Sequence, residues 1–117
     1  MSFIRMDGPQ FKAPRVVSKP MTDAANGQTC ALRIPGVCNG DPATTVACHV
    51  RIPGNAGTGM KPDDLFVIDG CAECHRVMDN RALWESAPIG WDDVLRALIE
   101  TQRRRLHAGL ITLKGAK

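Results

Sequence analysis

Large aromatic side chains are scarce in this chain of 117 residues, which has no tyrosine, three phenylalanines and two tryptophans. Rings of that kind usually dominate burial energetics, so the core is expected to be lean. A domain of this length buries roughly 65% of its unfolded surface, and small cores of this sort commonly need a staple. Long apolar runs are also missing. Nothing approaches the ~20 consecutive apolar residues of a membrane span, so no membrane partner is expected. The first residues, Met1 to Pro9, show no apolar h-region, and no signal peptide is expected. The expected setting is a reducing cytoplasm, where cysteines hold metal or do chemistry more often than they form disulfides.

Neither sign of charge dominates, with 15 basic and 12 acidic residues, but the average hides a gradient. Residues 1–29 carry four basic and two acidic groups, residues 30–96 six and nine, and residues 97–117 five and one, which together give +3. A basic C-terminal end permits nucleic-acid binding without requiring it.

Five cysteines are present. Cys30 and Cys38 flank a Pro35-Gly36 turn, and Cys71 and Cys74 have the two-residue gap of a zinc knuckle. Four thiolates at ~2.3 Å make a closed tetrahedral zinc site with no position left for water, which is a structural arrangement. Such a site contributes on the order of 10–16 kcal/mol of metal binding, against a total stability of about 5–15 kcal/mol for a typical domain. Other readings of these residues explain less. Buried free thiols do not account for two pairs beside turns. A redox pair at Cys71 and Cys74 lacks its βαβ setting, and the c-type haem pattern Cys71-Ala72-Glu73-Cys74-His75 leaves Cys30 and Cys38 unused.

Pattern and punctuation divide the chain into residues 1–28, an extended or disordered arm rich in proline; residues 29–113, one zinc-stabilised α+β domain; and a tail at 114–117. Thr44 to Ile52 is β-branched and reads as a strand, and Leu65 to Ile68 as a second, ended by an Asp69-Gly70 turn. Residues 54–61 form a glycine-rich loop. It misses the P-loop pattern because Met60 precedes Lys61 and no Ser or Thr follows. A short helix is expected after Cys71. A longer one, over residues 91–107, would present Trp91, Val94, Leu95, Leu98, Ile99 and Leu106 as its apolar stripe. Leu110 to Leu113 reads as a last short strand. No aromatic stacking platform is visible.

His49 closes the first strand and His75 follows the knuckle, with Asp79 one helical turn on. This strand–loop–strand–helix order with a histidine at each end resembles the HNH, or His-Me finger, nucleases. The likeness is closer to the small prophage-encoded nucleases of the YbcO type. It rests on Arg33-Ile34-Pro35-Gly36-Val37-Cys38-Asn39-Gly40, His49-x-Arg51, Gly57-Thr58-Gly59-x-Lys61-Pro62 and Cys71-x-x-Cys74-His75, and it spans residues 30–81. The resemblance implies a zinc-stapled ββα-metal core with an added C-terminal helix, and a metal-dependent endonuclease acting on DNA. His49 would be the general base, positioned by Asp64. His75 and Asp79 would hold a catalytic Mg²⁺ or Mn²⁺. Arg51, Arg76, Arg81, Arg103, Arg104 and Arg105 would neutralise phosphates. Two departures from the pattern stand out: Cys48 where a metal-binding Asp commonly precedes the base, and Asp64 where an Asn is usual. They keep open a second reading, a non-catalytic zinc-stapled DNA-binding or adaptor module.

Overall fold

A computed structural model of the chain describes residues 15–52 and 62–116. The glycine-rich loop and the first half of the expected arm lie outside the described residues. The architecture is α+β. In chain order it runs α1 (Lys19–Asp23), β1 (Val46–His49), β2 (Val67–Gly70), α2 (Ala72–Met78) and α3 (Trp91–His107), with single 3-10 turns at Pro42–Thr44 and Arg81–Glu85.

The two strands are antiparallel, with Val46 opposite Gly70, Cys48 opposite Ile68 and His49 opposite Val67. The hydrogen-bonded pairing continues one residue beyond β1, where the Val50 amide donates to the Phe66 carbonyl at 2.9 Å. β1 is shorter than expected because Pro42 opens a 3-10 turn that occupies Thr44. β2 is displaced toward the C-terminus, and Asp69-Gly70 is strand rather than turn. An Asp-Gly pair ordinarily signals a turn. Here the glycine has a packing reason, since a Cβ at Gly70 would sit 2.7 Å from the Cys48 sulfur and 3.1 Å from Leu32 Cδ1.

Part of the expected arm is folded. Ser18 caps α1, its hydroxyl accepting from the Met21 amide, and Pro20 occupies the first turn, where its missing N–H costs nothing. Met21 and Ala25, one turn apart, are buried. Tertiary burial of these two side chains orders a segment too short to be helical by propensity.

Helix α3 has the expected bounds but a different inner face. Val94, Ala97, Thr101 and Arg105 are the buried residues, whereas Trp91, Leu95 and Ile99 are 44%, 57% and 52% exposed. The cause lies on β2. Asp69 is fully buried and requires a cationic partner. Arg105 meets it with both guanidinium nitrogens, one contact at 3.1 Å, while the Thr101 hydroxyl accepts from the Asp69 amide at 3.1 Å. This polar demand turns the helix about its axis. The Asp93 carboxylate accepts from the Gly90 amide at 2.8 Å and closes the N-terminus. Residues 110–113 form a bend followed by irregular chain, not a strand.

Leu32, Ile34, Cys48, Ile68, Val77 and Val94 meet in one apolar core between the hairpin, α2 and α3. Among the described residues no helix is long and apolar enough to cross a membrane.

Candidate metal centre and catalytic cleft

Local structure brings the four expected thiols together. Gly36 and Gly40 have φ of +75° and +69°. These left-handed corners fold Cys38 back toward Cys30. Cys71 caps α2, its sulfur accepting from the Cys74 amide at 3.4 Å, so the knuckle and the helix start are one feature. The sulfurs of Cys30, Cys38, Cys71 and Cys74 all lie within 4.8 Å of one another. The Cys38 and Cys71 sulfurs are 3.9 Å apart, close to the ~3.8 Å edge of a zinc–thiolate tetrahedron with 2.3 Å bonds.

Peptide amides surround the cluster. Arg33 and Cys71 donate to the Cys30 sulfur at 3.4 and 3.3 Å, and Asn39 donates to Cys71 at 3.5 Å. Donors of this kind stabilise thiolate. The crowded thiols titrate apart. A hydrogen bond from Cys74 pulls Cys30 down to about 4, against desolvation and with help from the Arg33 and Cys71 amides. Cys74 is pushed up by its bond to Cys30 and by burial, and Cys38 is pushed up chiefly by burial. Four thiolates in so small a volume need a central dication. The donor set fits a metal such as zinc, and these four residues would hold it. Cys48 is separate. It is buried against Gly70, and desolvation drives its thiol well above the ordinary value.

His49 is set by the hairpin and by the folded part of the arm. Its Nε2 lies 2.8 Å from Asp64 Oδ1. Asp64 is 5% exposed, accepts from the Ser18 amide at 2.8 Å, and pairs with Arg15 at 3.5 Å. Burial alone would raise its pKa. The bonds from His49 and Ser18 and the Arg15 charge outweigh that and hold it below 3.8. Asp63 does something else, accepting from the Val16 amide at 2.9 Å. The two carboxylates are adjacent in the chain, and only Asp64 reaches the imidazole.

On α2, His75 Nε2 is 2.9 Å from Asp79 Oδ2. A cavity of about 80 Å³ brings the two elements together. It is lined by His49 and Arg51 from the first strand and the residues after it, by Met78 and Asp79 at the end of α2, and by Arg81, Trp84 and Trp91. His49 and Asp79 therefore line one cleft, whereas His75, paired with Asp79, is not among the lining side chains.

The six expected phosphate-binding arginines separate into two groups. Arg51, Arg76, Arg81 and Arg103 are exposed. Arg105 is 1% exposed and committed to Asp69. Arg104 bonds Asp69, Glu100 and the Thr29 carbonyl at 3.0, 2.8 and 2.7 Å. These two are structural, because the buried Asp69 carboxylate needs them. Trp84 and Trp91, for whose pairing the sequence offers no reason, both line the cleft.

Fold and site define a small α+β protein with a four-cysteine cluster able to hold a metal ion and a histidine–carboxylate cleft. Comparison with known proteins places it further. A family described as "Putative nuclease YbcO" matches residues 19–109, and the chain belongs to that family. It is 42% identical over 88 residues to "Putative nuclease YbcO" of Escherichia coli (strain K12), covering 75% of this chain and 92% of the relative. The same identity and coverage hold for "Putative nuclease ybcO" of Enterobacteria phage 82. A solved structure, "Structure of a putative bacteriophage protein from Escherichia coli str. K-12 substr. MG1655", superposes with a TM-score of 0.57 at 35% identity, covering 75% of this chain and 98% of that one.

Proposed function

We propose that this protein is a metal-dependent endonuclease of the HNH type that hydrolyses phosphodiester bonds in DNA. One observation carries the proposal: His49, bound through Nε2 to a buried carboxylate, shares a cleft with the His75-paired Asp79. The order β1, β2, α2 with a histidine on the first and last elements supports it. So do the nuclease names of the relatives.

An ionised carboxylate can only accept a hydrogen bond. In neutral His49, Nε2 therefore carries the proton toward Asp64, and Nδ1 is the basic nitrogen. Nδ1 takes a proton from a water molecule as that water's oxygen bonds to phosphorus. The phosphorus–oxygen bond to the leaving nucleoside then breaks, and the leaving oxygen takes a proton from solvent water. Positioned base catalysis of this kind is worth typically 10²–10⁴-fold. Asp79 and His75 would hold Mg²⁺ or Mn²⁺, with water and substrate phosphate completing the shell, since carboxylate and water suit such hard cations. A cation held by these residues would supply stabilisation of charge developing on the phosphoryl oxygens. Arg51, Arg81, Arg76 and Arg103 supply positive charge for the nucleic-acid backbone. Zinc on the four cysteines would hold the scaffold and take no part in the reaction.

Incubation with supercoiled plasmid in Mg²⁺ or Mn²⁺ tests the proposal. Cleavage that disappears in His49→Ala is expected. Cleavage that survives this change refutes the base assignment. Cys48 favours a second reading. It stands where a metal-binding Asp is usual and, being buried, supplies no ligand to the cleft. Salt-dependent DNA binding with no cleavage in any divalent cation selects a non-catalytic binding or adaptor module.

A further inference from the structure

In a chain with so few aromatics, both tryptophans stand at the mouth of the cleft. Trp84 is fixed, its indole N–H donating to the Val77 carbonyl at 3.0 Å. Trp91 meets it edge to face, with ring centres 5.0 Å apart and planes at 62°. The Arg81 guanidinium lies over both rings, 4.4 Å from the centre of Trp84 and 4.7 Å from that of Trp91. Trp91 nevertheless leaves 44% of its surface in water. These three side chains line the same cavity as His49 and Asp79.

We propose that Trp91 and Arg81 form a substrate-positioning platform for single-stranded nucleic acid. This rests on the nuclease reading and adds the substrate class to it. An unpaired base stacks on the exposed indole of Trp91, and the Arg81 guanidinium neutralises the adjoining phosphate. The neighbouring linkage is thereby presented to His49. Stacking on an aromatic side chain needs a base face freed from its duplex neighbours, and it tolerates any sequence. The two indoles restrain a guanidinium that on open surface would sample many rotamers, so its N–H fork is oriented before the phosphate arrives. Leu95 and Ile99 continue the exposed stripe from Trp91 along α3. That stripe also suits a second copy of the chain, so the rival must be tested alongside.

The experiment is a fluorescence titration of the full-length protein, without added divalent cation, against a short oligothymidylate and a hairpin duplex of matched length. Quenching by the single strand is expected, with affinity about ten-fold above that for the duplex. Trp91→Leu keeps apolar contact with Trp84 but removes the π-face, and it should weaken strand binding about ten-fold. Trp91→Phe should restore most of the affinity while losing most of the quench. Arg81→Ala should lower the salt dependence of binding by about one phosphate contact. Equal affinity for strand and duplex, or wild-type affinity in Trp91→Leu, overturns the platform. So does sedimentation showing a dimer that Trp91→Leu dissociates while strand binding stays unchanged. Because the titration involves no cleavage, quenching in a protein that never cuts DNA sinks the nuclease reading and keeps the platform. Cleavage without quenching does the reverse.

Discussion

Asp64 holds His49 by Nε2: its Oδ1 lies 2.8 Å from that nitrogen, and its other oxygen takes the Ser18 amide. The pairing fixes ring orientation and tautomer together. Asp64→Asn keeps the shape but presents an amide that can donate to Nε2, placing the ring proton on Nδ1. Cleavage should then fall by about 10²–10⁴-fold, close to the loss in His49→Ala. Plasmid nicking rates alongside near-UV circular dichroism check this. Near wild-type rates in a folded Asp64→Asn protein would contradict it.

Acid should unfold the protein partly through the same carboxylate. Asp64 and Glu100 titrate below their ordinary values of 3.8 and 4.5. Asp64 is lowered against burial by His49, Ser18 and Arg15, and Glu100 chiefly by its two-pronged bond to Arg33. The unfolded chain therefore binds more protons than the native one at low pH. The stability these groups contribute is complete above the ordinary values and is lost as pH falls through the lowered ones. Urea unfolding across the acid range should show this slope. It should be shallower in Asp64→Asn.

Removing a cluster thiol should remove the fold. Cys38→Ser, or a strong chelator, is expected to lower zinc content and melt the domain, because the metal contributes on the order of 10 kcal/mol or more. Cys48→Ala should keep full zinc content. Elemental analysis and thermal melts separate the two outcomes. A zinc-free wild type with an unchanged Cys38→Ser melt would exclude the staple.

The arginine run of α3 should divide sharply by position. Arg105→Ala leaves the buried Asp69 carboxylate with Arg104 as its remaining cation and should cost about 3 kcal/mol. Arg103→Ala should leave the melt unchanged and weaken DNA binding more at low salt than at high. Comparable melting losses in both would argue against the division.

Gly70→Ala should destabilise by about 1–3 kcal/mol through overpacking, because the new methyl meets the Cys48 sulfur. Adding Cys48→Ala should recover part of that loss, and a double-mutant cycle measures the coupling.

The cysteine quartet, both histidines and the bounds of α3 were legible because each is written in local spacing. Three features were not, and each depends on a distant partner. Residues 15–28 look like an unstructured arm until Met21 and Ala25 find the core and Ser18 finds Asp64. Arg104 and Arg105 look like part of a basic cluster until the buried Asp69 claims them. The Trp84–Trp91 pair is joined across the Pro88-Ile89-Gly90 break, so helical periodicity could not reveal it. The arginine run itself carried no signal of which members would be buried. An isolated acidic residue between Ile68 and Gly70 was the available hint that a cation would be drawn inside.

The Arg105 side chain does more than neutralise Asp69. Its Nε–H also donates to the Met21 carbonyl at 2.9 Å. One guanidinium therefore fastens the last helix to the first, and the segment leading into that first helix grips the carboxylate behind His49. Arg105, Met21, Ser18, Asp64 and His49 are thus joined in one unbroken run of hydrogen bonds from helix to imidazole.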